Sequence, residues 1–176
     1  CTGKKTKSIE TYQMQAKEYT GTLCLGATTP SYDLETERNQ TYPIKHITPQ
    51  QIIEVSSKFV GEIEQYPPLF SALKKSGKRL YEYAREGSKP EIKPRQVLIS
   101  KFEIKKITLP QIDFLVQCSK GTYIRSLAHD FGKALLSGSH LISLQRTKIG
   151  DFCLTNAFHM KSVYDENSPK NISLKL

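Results

Sequence analysis

No two of the four cysteines lie at metal-ligand spacing: Cys1, Cys24, Cys118 and Cys153 are scattered through 176 residues. Without a C-x-x-C pair nothing resembles a zinc site, and no metal is expected. No apolar run approaches membrane-spanning length, and the polar, basic stretch from Cys1 to Lys7 has no signal-peptide core. These absences point to a cytoplasmic protein with no membrane partner, in which Cys24, Cys118 and Cys153 are reduced thiols expected in strands. Internal repeats and low-complexity segments are missing too. No helix-turn-helix or zinc-finger pattern is present, which argues against a generic DNA-binding domain.

Acidic residues are comparatively few, 17 against 26 Lys plus Arg, for a net charge of +9. The 38 % hydrophobic and 24 % charged content is that of an ordinary globular chain, and the length favours one domain around one core. A basic excess of this size suggests a polyanionic partner, RNA or DNA first; the alternative is a basic surface that serves only solubility. Charge does not name the reaction.

Glu18 to Gly26 reads as a strand, and the polar stretch Ala27 to Arg38 as a loop. Thr48-Pro49-Gln50-Gln51 reads as a helix start, with Thr48 as N-cap, Pro49 at the first position and Gln51 completing a capping box. Ile52, Val55 and Phe59 follow at helical spacing, and Gly61 closes the segment. Leu80 to Glu86 predicts a short helix stopped by Gly87. Gln96 to Leu109 and Gln111 to Cys118 predict an antiparallel hairpin turning at Pro110, with a bulge where the alternation slips between Ile99 and Phe102. Tyr123 to Leu136 predicts a helix with Ile124, Leu127, Phe131 and Leu135 on one face, and His140 to Ile149 another strand. From Leu154 onward the periodicity is weak. The order of elements implies an α+β fold dominated by antiparallel strands.

Four blocks stand out: Lys17-Glu18-Tyr19-Thr20-Gly21 with Leu25-Gly26-Ala27-Thr28-Thr29; Pro67-Pro68-Leu69-Phe70-Ser71-Ala72-Leu73-Lys74 continued by Gly77 to Gly87; Cys118-Ser119-Lys120-Gly121-Thr122-Tyr123-Ile124-Arg125-Ser126-Leu127; and His140-Leu141-Ile142-Ser143-Leu144-Gln145-Arg146. In order and spacing they resemble the TruB-type tRNA pseudouridine synthases, which convert uridine 55 in the T loop of tRNA to pseudouridine. The resemblance implies a mixed, mainly antiparallel β-sheet with flanking helices. It also implies a cofactor-free reaction, a tRNA T-arm stem-loop as partner, and no protein partner. Residues 1–152 would form the catalytic domain short of its N-terminal part. Residues 153–176 would be a tail, without the PUA domain that many relatives carry.

Pseudouridine formation breaks the N-glycosidic bond, turns the uracil and rejoins it through C5, so the nucleotide must leave the stack and meet an aromatic face. The resemblance gives that role to Tyr19; its residues alone favour a half-buried strand tyrosine whose hydroxyl finds a local partner. It makes Arg125 the partner of the catalytic aspartate, and Asp33 a second carboxylate sharing that arginine. The bland alternatives are a helix-surface arginine and a turn aspartate capping its own loop. Tyr123 and Leu144 match pocket positions, and both are compatible with plain core. Lys74, Lys78 and Arg79, interleaved with Tyr81 and Tyr83, suit a phosphate backbone and exposed loop bases, in a region the family uses as a mobile insertion. Lys120 is a further candidate RNA contact, and a solvated charged loop is the competing reading of the Lys74 to Arg85 stretch.

The family's nucleophile is the aspartate of a G-x-x-D-x-x-A-x-G motif, expected shortly before Cys1, and no aspartate of these 176 residues lies in such a context. A non-catalytic RNA-binding or tRNA-folding module is therefore the competing function. The chain by itself is expected to make no pseudouridine in a T-loop RNA, because Tyr19 and Arg125 position a uridine but offer no carboxylate nucleophile. Tritium release from C5-labelled uridine measures this, and clear turnover would mean that the nucleophile lies within the chain.

Overall fold

In the computed structural model, which describes residue 1 and residues 3–159, the basic stretch near the N-terminus is helical. A 3₁₀ segment, Gly3–Ser8, leads into α1, Ile9–Met14, and neither buries a residue. A helix that buries nothing carries no apolar stripe, so its sequence does not announce it. The strand read from Glu18 is β1, Lys17–Leu25, whose alternation turns Tyr19, Leu23 and Leu25 to the core. The loop beyond it is tied at its base by a short ladder between β2, Ala27–Thr28, and β3, Gln40–Thr41. Residues 29–39 are thus a closed excursion that carries Asp33.

The helix start at Thr48 is realised as α2, Pro49–Lys58. Gln51 N donates to Thr48 Oγ1 at 3.2 Å, and Thr48 N to Gln51 Oε1 at 2.8 Å, so the capping box satisfies two otherwise orphaned donors. Next comes a strand that its sequence does not predict, β4, Gly61–Gln65. With a single large apolar side chain, Ile63, it has too little pattern to tell from a loop.

The basic stretch forms a hairpin, β5, Lys74–Lys75, and β6, Lys78–Arg79, turning through Ser76 and Gly77 at positive φ of 51° and 82°. α3, Leu80–Arg85, follows and stops before Gly87. The expected long hairpin is β7, Arg95–Thr108, with β8, Gln111–Cys118. Its register slips between Ile99 and Lys101 and again between Ile104 and Lys106, and the first slip returns Phe102 to the core beside Val97 and Ile99. α4, Ile124–Ala134, buries Ile124, Leu127 and Phe131. β9, Ser139–Ile149, and β10, Phe152–Cys153, complete the described strands.

Six strands form one sheet in the order β10-β9-β1-β8-β7-β4, every pairing antiparallel. α2 and α4 pack against it in a single apolar core. This is the α+β, mainly antiparallel architecture implied by the order of elements. β4 pairs with residues 95–99 of β7 and turns Glu62 and Glu64 to solvent, a charged edge that discourages further pairing. At the sheet's centre, a Cβ on Gly21 would lie 2.6 Å from Ser143 O and 2.9 Å from Phe114 Cζ, so the strands close here only around a glycine.

The expected domain boundary at residue 152 falls in β10, and the expected tail from residue 160 onward lies outside the described residues. Cys24, Cys118 and Cys153 lie in β1, β8 and β10 as free thiols. Among the described residues no His, Cys, Asp and Glu cluster could hold a metal, and no helix is long and apolar enough to cross a membrane.

His129 on α4 stacks on Tyr32, with ring centroids 4.0 Å apart and planes at 15°. Burial, with Lys133 adding, lowers its pKa from the ordinary 6.5 to about 4. The folded ring is therefore neutral where the unfolded chain already takes up a proton, so this contribution is full above about 6.5 and lost as the pH falls toward about 4. Asp130 acts in the opposite sense, since burial raises its pKa and its protonation favours the folded chain. Urea midpoints at pH 7 and pH 5 are expected to show a drop in acid that His129→Gln diminishes; equal drops in both proteins would assign it to other groups.

Candidate active site

The first turn of α4 brings two of the predicted residues, Arg125 and Asp33, together. Ile124 and Leu127 enter the core, which leaves Arg125 on the flank of the helix facing the loop of residues 29–39. Arg125 Nη1 donates to Asp33 Oδ2 at 3.1 Å and to Ser31 O at 3.2 Å, and Nη2 donates to Phe70 O at 2.7 Å. Both side chains of the ion pair are largely shielded, 22 % and 25 % exposed. A guanidinium has five N–H donors, and these bonds use three, leaving two for a further acceptor.

Asp33 satisfies both of its readings at once. Oδ1 accepts from Glu35 N at 2.9 Å, capping its own loop, while Oδ2 takes the arginine. Thr29 Oγ1 donates to Asp33 O at 2.7 Å and Tyr32 adopts a positive φ of 64°, which together turn the carboxylate inward.

Leu144 on β9, 43 % exposed, lines the same open cavity of about 390 Å³ as Asp33 and Arg125. Tyr19 lines a second cavity of about 520 Å³ together with Lys120, Thr122 and Arg146. Burial, with the Cys118 thiol adding, pushes the Tyr19 phenol up, and a hydrogen bond from Arg146 partly offsets this. Leu144 and Arg146 lie two residues apart on an unbroken stretch of β9, paired with Gly21 and Tyr19, so they share a face, and each lines one of the two cavities.

Tyr123 takes the N-cap position of α4 and lines neither cavity. Lys74, Lys78 and Arg79 also lie apart, on the β5–β6 hairpin. Lys78 is paired with Glu86 and stands 4.9 Å from the Tyr83 ring centroid, while Arg79 Nη1 approaches Ala72 O at 3.5 Å.

Two site residues escape a reading of the sequence. Arg146 is one more cation in a basic chain until its pairing with Tyr19 is known. Gln65, the last residue of β4, is 2 % exposed and grips the backbone of Tyr123 from both sides. Gln65 Nε2 donates to Tyr123 O at 3.1 Å, and Tyr123 N donates to Gln65 Oε1 at 2.7 Å. Ser126 Oγ adds a bond to Tyr66 O at 2.7 Å. The signal that could have found Gln65 is its spacing of two from Ile63, which puts both on one face once 61–65 is a strand.

With this geometry in place, the chain can be set beside known proteins. The family model described as TruB family pseudouridylate synthase (N terminal domain) matches residues 1–124. A protein of Flavobacterium johnsoniae named tRNA pseudouridine synthase B is 60 % identical over 167 residues, covering 95 % of this chain and 72 % of that protein. One of the same name from Phocaeicola vulgatus is 51 % identical over 162 residues, covering 92 % and 69 %. Among solved structures, a crystal structure of a Cbf5-Nop10-Gar1 complex matches with a TM-score of 0.61 at 28 % identity, covering 85 % of this chain and 35 % of that one. An H/ACA RNP bound to a substrate RNA containing 2'-deoxyuridine shares the fold, with a TM-score of 0.62 at 23 % identity, covering 91 % of this chain and 37 % of its counterpart.

Gln65→Leu preserves volume but leaves the Tyr123 N–H without its partner, while the C=O keeps the Leu127 N–H at 3.0 Å, at a cost of roughly 1–3 kcal/mol. Urea unfolding of the variant is expected to show that loss. A shift below about 0.5 kcal/mol would mean that water replaces the amide and that the clamp is dispensable.

Proposed function

The chain belongs to the TruB family of pseudouridylate synthases, and we propose that it forms the larger part of a cytoplasmic tRNA pseudouridine synthase that isomerises uridine 55 of the T loop. The observation that carries this reading is the anchoring of Arg125. Its guanidinium is held by Asp33 and two backbone carbonyls at the edge of an open cavity, with two donors to spare. A second carboxylate approaching that cavity would be kept ionised and aimed by charge-assisted hydrogen bonds.

The remaining roles follow from this. Tyr19, whose phenol burial pushes further above its ordinary pKa, offers its ring to the flipped uracil. Leu144 gives the base an apolar contact at the wall shared with Arg125. Tyr123, braced by Gln65, fixes the start of the helix on which Arg125 rides. Lys74, Lys78, Arg79 and Lys120 meet the RNA backbone. Asp33 holds the arginine in place and is not the nucleophile. Residues 1–152 belong to the catalytic domain and 153–176 to its tail. The reaction needs no cofactor, because proton transfers and a carboxylate suffice for an isomerisation in which every atom of the uridine is retained.

The experiment joins this chain to a segment carrying the G-x-x-D-x-x-A-x-G nucleophile motif and compares it with Arg125→Lys. Lysine keeps the charge and loses the planar fork. Single-turnover tritium release from a T-arm stem-loop is expected to slow on the order of a hundredfold, as for a carboxylate displaced by a fraction of an ångström, with filter-binding affinity nearly unchanged. A loss confined to affinity would make Arg125 a phosphate contact and refute its part in the reaction.

A further inference from the structure

Three of the four described ion pairs are surface contacts, Lys78 with Glu86 and both Lys101 and Lys105 with Glu103; the fourth is Arg125 with Asp33. The cavity around Tyr19 is different. Lys17, Lys120 and Arg146 line it, no aspartate or glutamate does, and none of the three cations forms an ion pair among the described residues. Neutral groups aim them instead. Lys17 Nζ donates to Gln13 O, and to Gln15 O at 2.7 Å; Lys120 Nζ lies 3.5 Å from Met14 Sδ; Arg146 stands opposite Tyr19 in the β1–β9 ladder.

Burial lowers the pKa of the Lys17 ammonium, with Cys118 opposing and Lys120 and Arg146 adding to the fall, so the three charges feel one another. The nearest carboxylate along β1, Glu18, accepts from Gln117 and Thr147 at 2.8 Å each on the opposite face of the sheet. Gly121, at φ +88° and with nothing within 4 Å of a Cβ position, leaves the rim beside Lys120 open.

We infer that this cavity is a phosphate subsite for an RNA backbone, holding the phosphodiester next to the nucleotide whose base meets Tyr19. This rests on the RNA-modifying function proposed above and adds to it a defined anion position. Like charges converging without a counter-ion repel one another, and a phosphodiester relieves that repulsion while accepting the paired N–H bonds of a guanidinium. The placement follows from the strand: Arg146 stands two residues from Leu144 on one face of β9, roughly 6.5–7 Å along it, so base and phosphate of neighbouring nucleotides reach both cavities.

Fluorescence anisotropy with T-arm stem-loops carrying a single methylphosphonate at successive loop positions tests this, using the chain, Arg146→Gln, Arg146→Lys and, as a control on the hairpin, Lys78→Ala. Arg146→Gln is expected to reduce the logarithmic salt slope by about 0.7 to 0.9, the share of one phosphate contact, and Arg146→Lys to restore most of it. One methylphosphonate position should weaken binding to the unsubstituted chain and to Lys78→Ala, yet leave Arg146→Gln unaffected. Losses that add at every position, or an unchanged slope in Arg146→Gln, would overturn the subsite while leaving RNA binding intact. No salt-dependent binding by the unsubstituted chain would overturn both readings.

Discussion

The first turn of α4 is bonded to two segments remote from it in sequence. On one side, the Gln65 amide holds the Tyr123 backbone, Ser126 holds Tyr66 and Arg125 holds Phe70. On the other, Arg125 holds Ser31 and Asp33. The helix itself is set by packing, with Ile124, Leu127 and Phe131 in the core and Gly132 so close to the next strand that a Cβ would lie 2.4 Å from Ser139 N. Apolar burial therefore decides where the guanidinium sits, and hydrogen bonds decide where it points. Such an over-determined group keeps its direction as substrate arrives, because the reorganisation has been done during folding.

The basic excess is not spread evenly. On β7, Lys101 and Lys105 flank Glu103 and draw its pKa down to about 2 by hydrogen bonds and charge. On the β5–β6 hairpin Lys78 is shared between Glu86 and the Tyr83 ring. Around Tyr19 the cations have neutral partners and one another. Net charge attracts a polyanion from a distance; the unmatched cluster is where its position is specified. The two cavities lined by residues of β9 differ in this respect, one holding an ion pair and the other positive charge with no carboxylate in its lining.

Much of this was legible in the sequence because local rules carried it. The capping box at Thr48 and Gln51 needs four consecutive residues, and the slip in β7 shows as a broken alternation between Ile99 and Phe102. The Arg125–Asp33 pair was open only through resemblance, since nothing in 92 residues of separation says that a turn aspartate will meet a helix arginine. β4 and α1 were not legible. The first has one large apolar residue and owes its strand to pairing with β7, and the second buries nothing.

What the sequence determined by itself was the order of elements, the excess of positive charge and the blocks that tie the chain to its family. Each is a property of neighbouring residues or of a sum. The tertiary structure alone decided that Gln65 braces Tyr123, that Asp33 serves its own loop and Arg125 together, and that Lys17, Lys120 and Arg146 converge beside Tyr19. The physical reason is range: capping and alternation act within a turn or a strand, whereas these contacts exist only after strands distant in sequence have paired, β4 with β7 and β1 with β8 and β9.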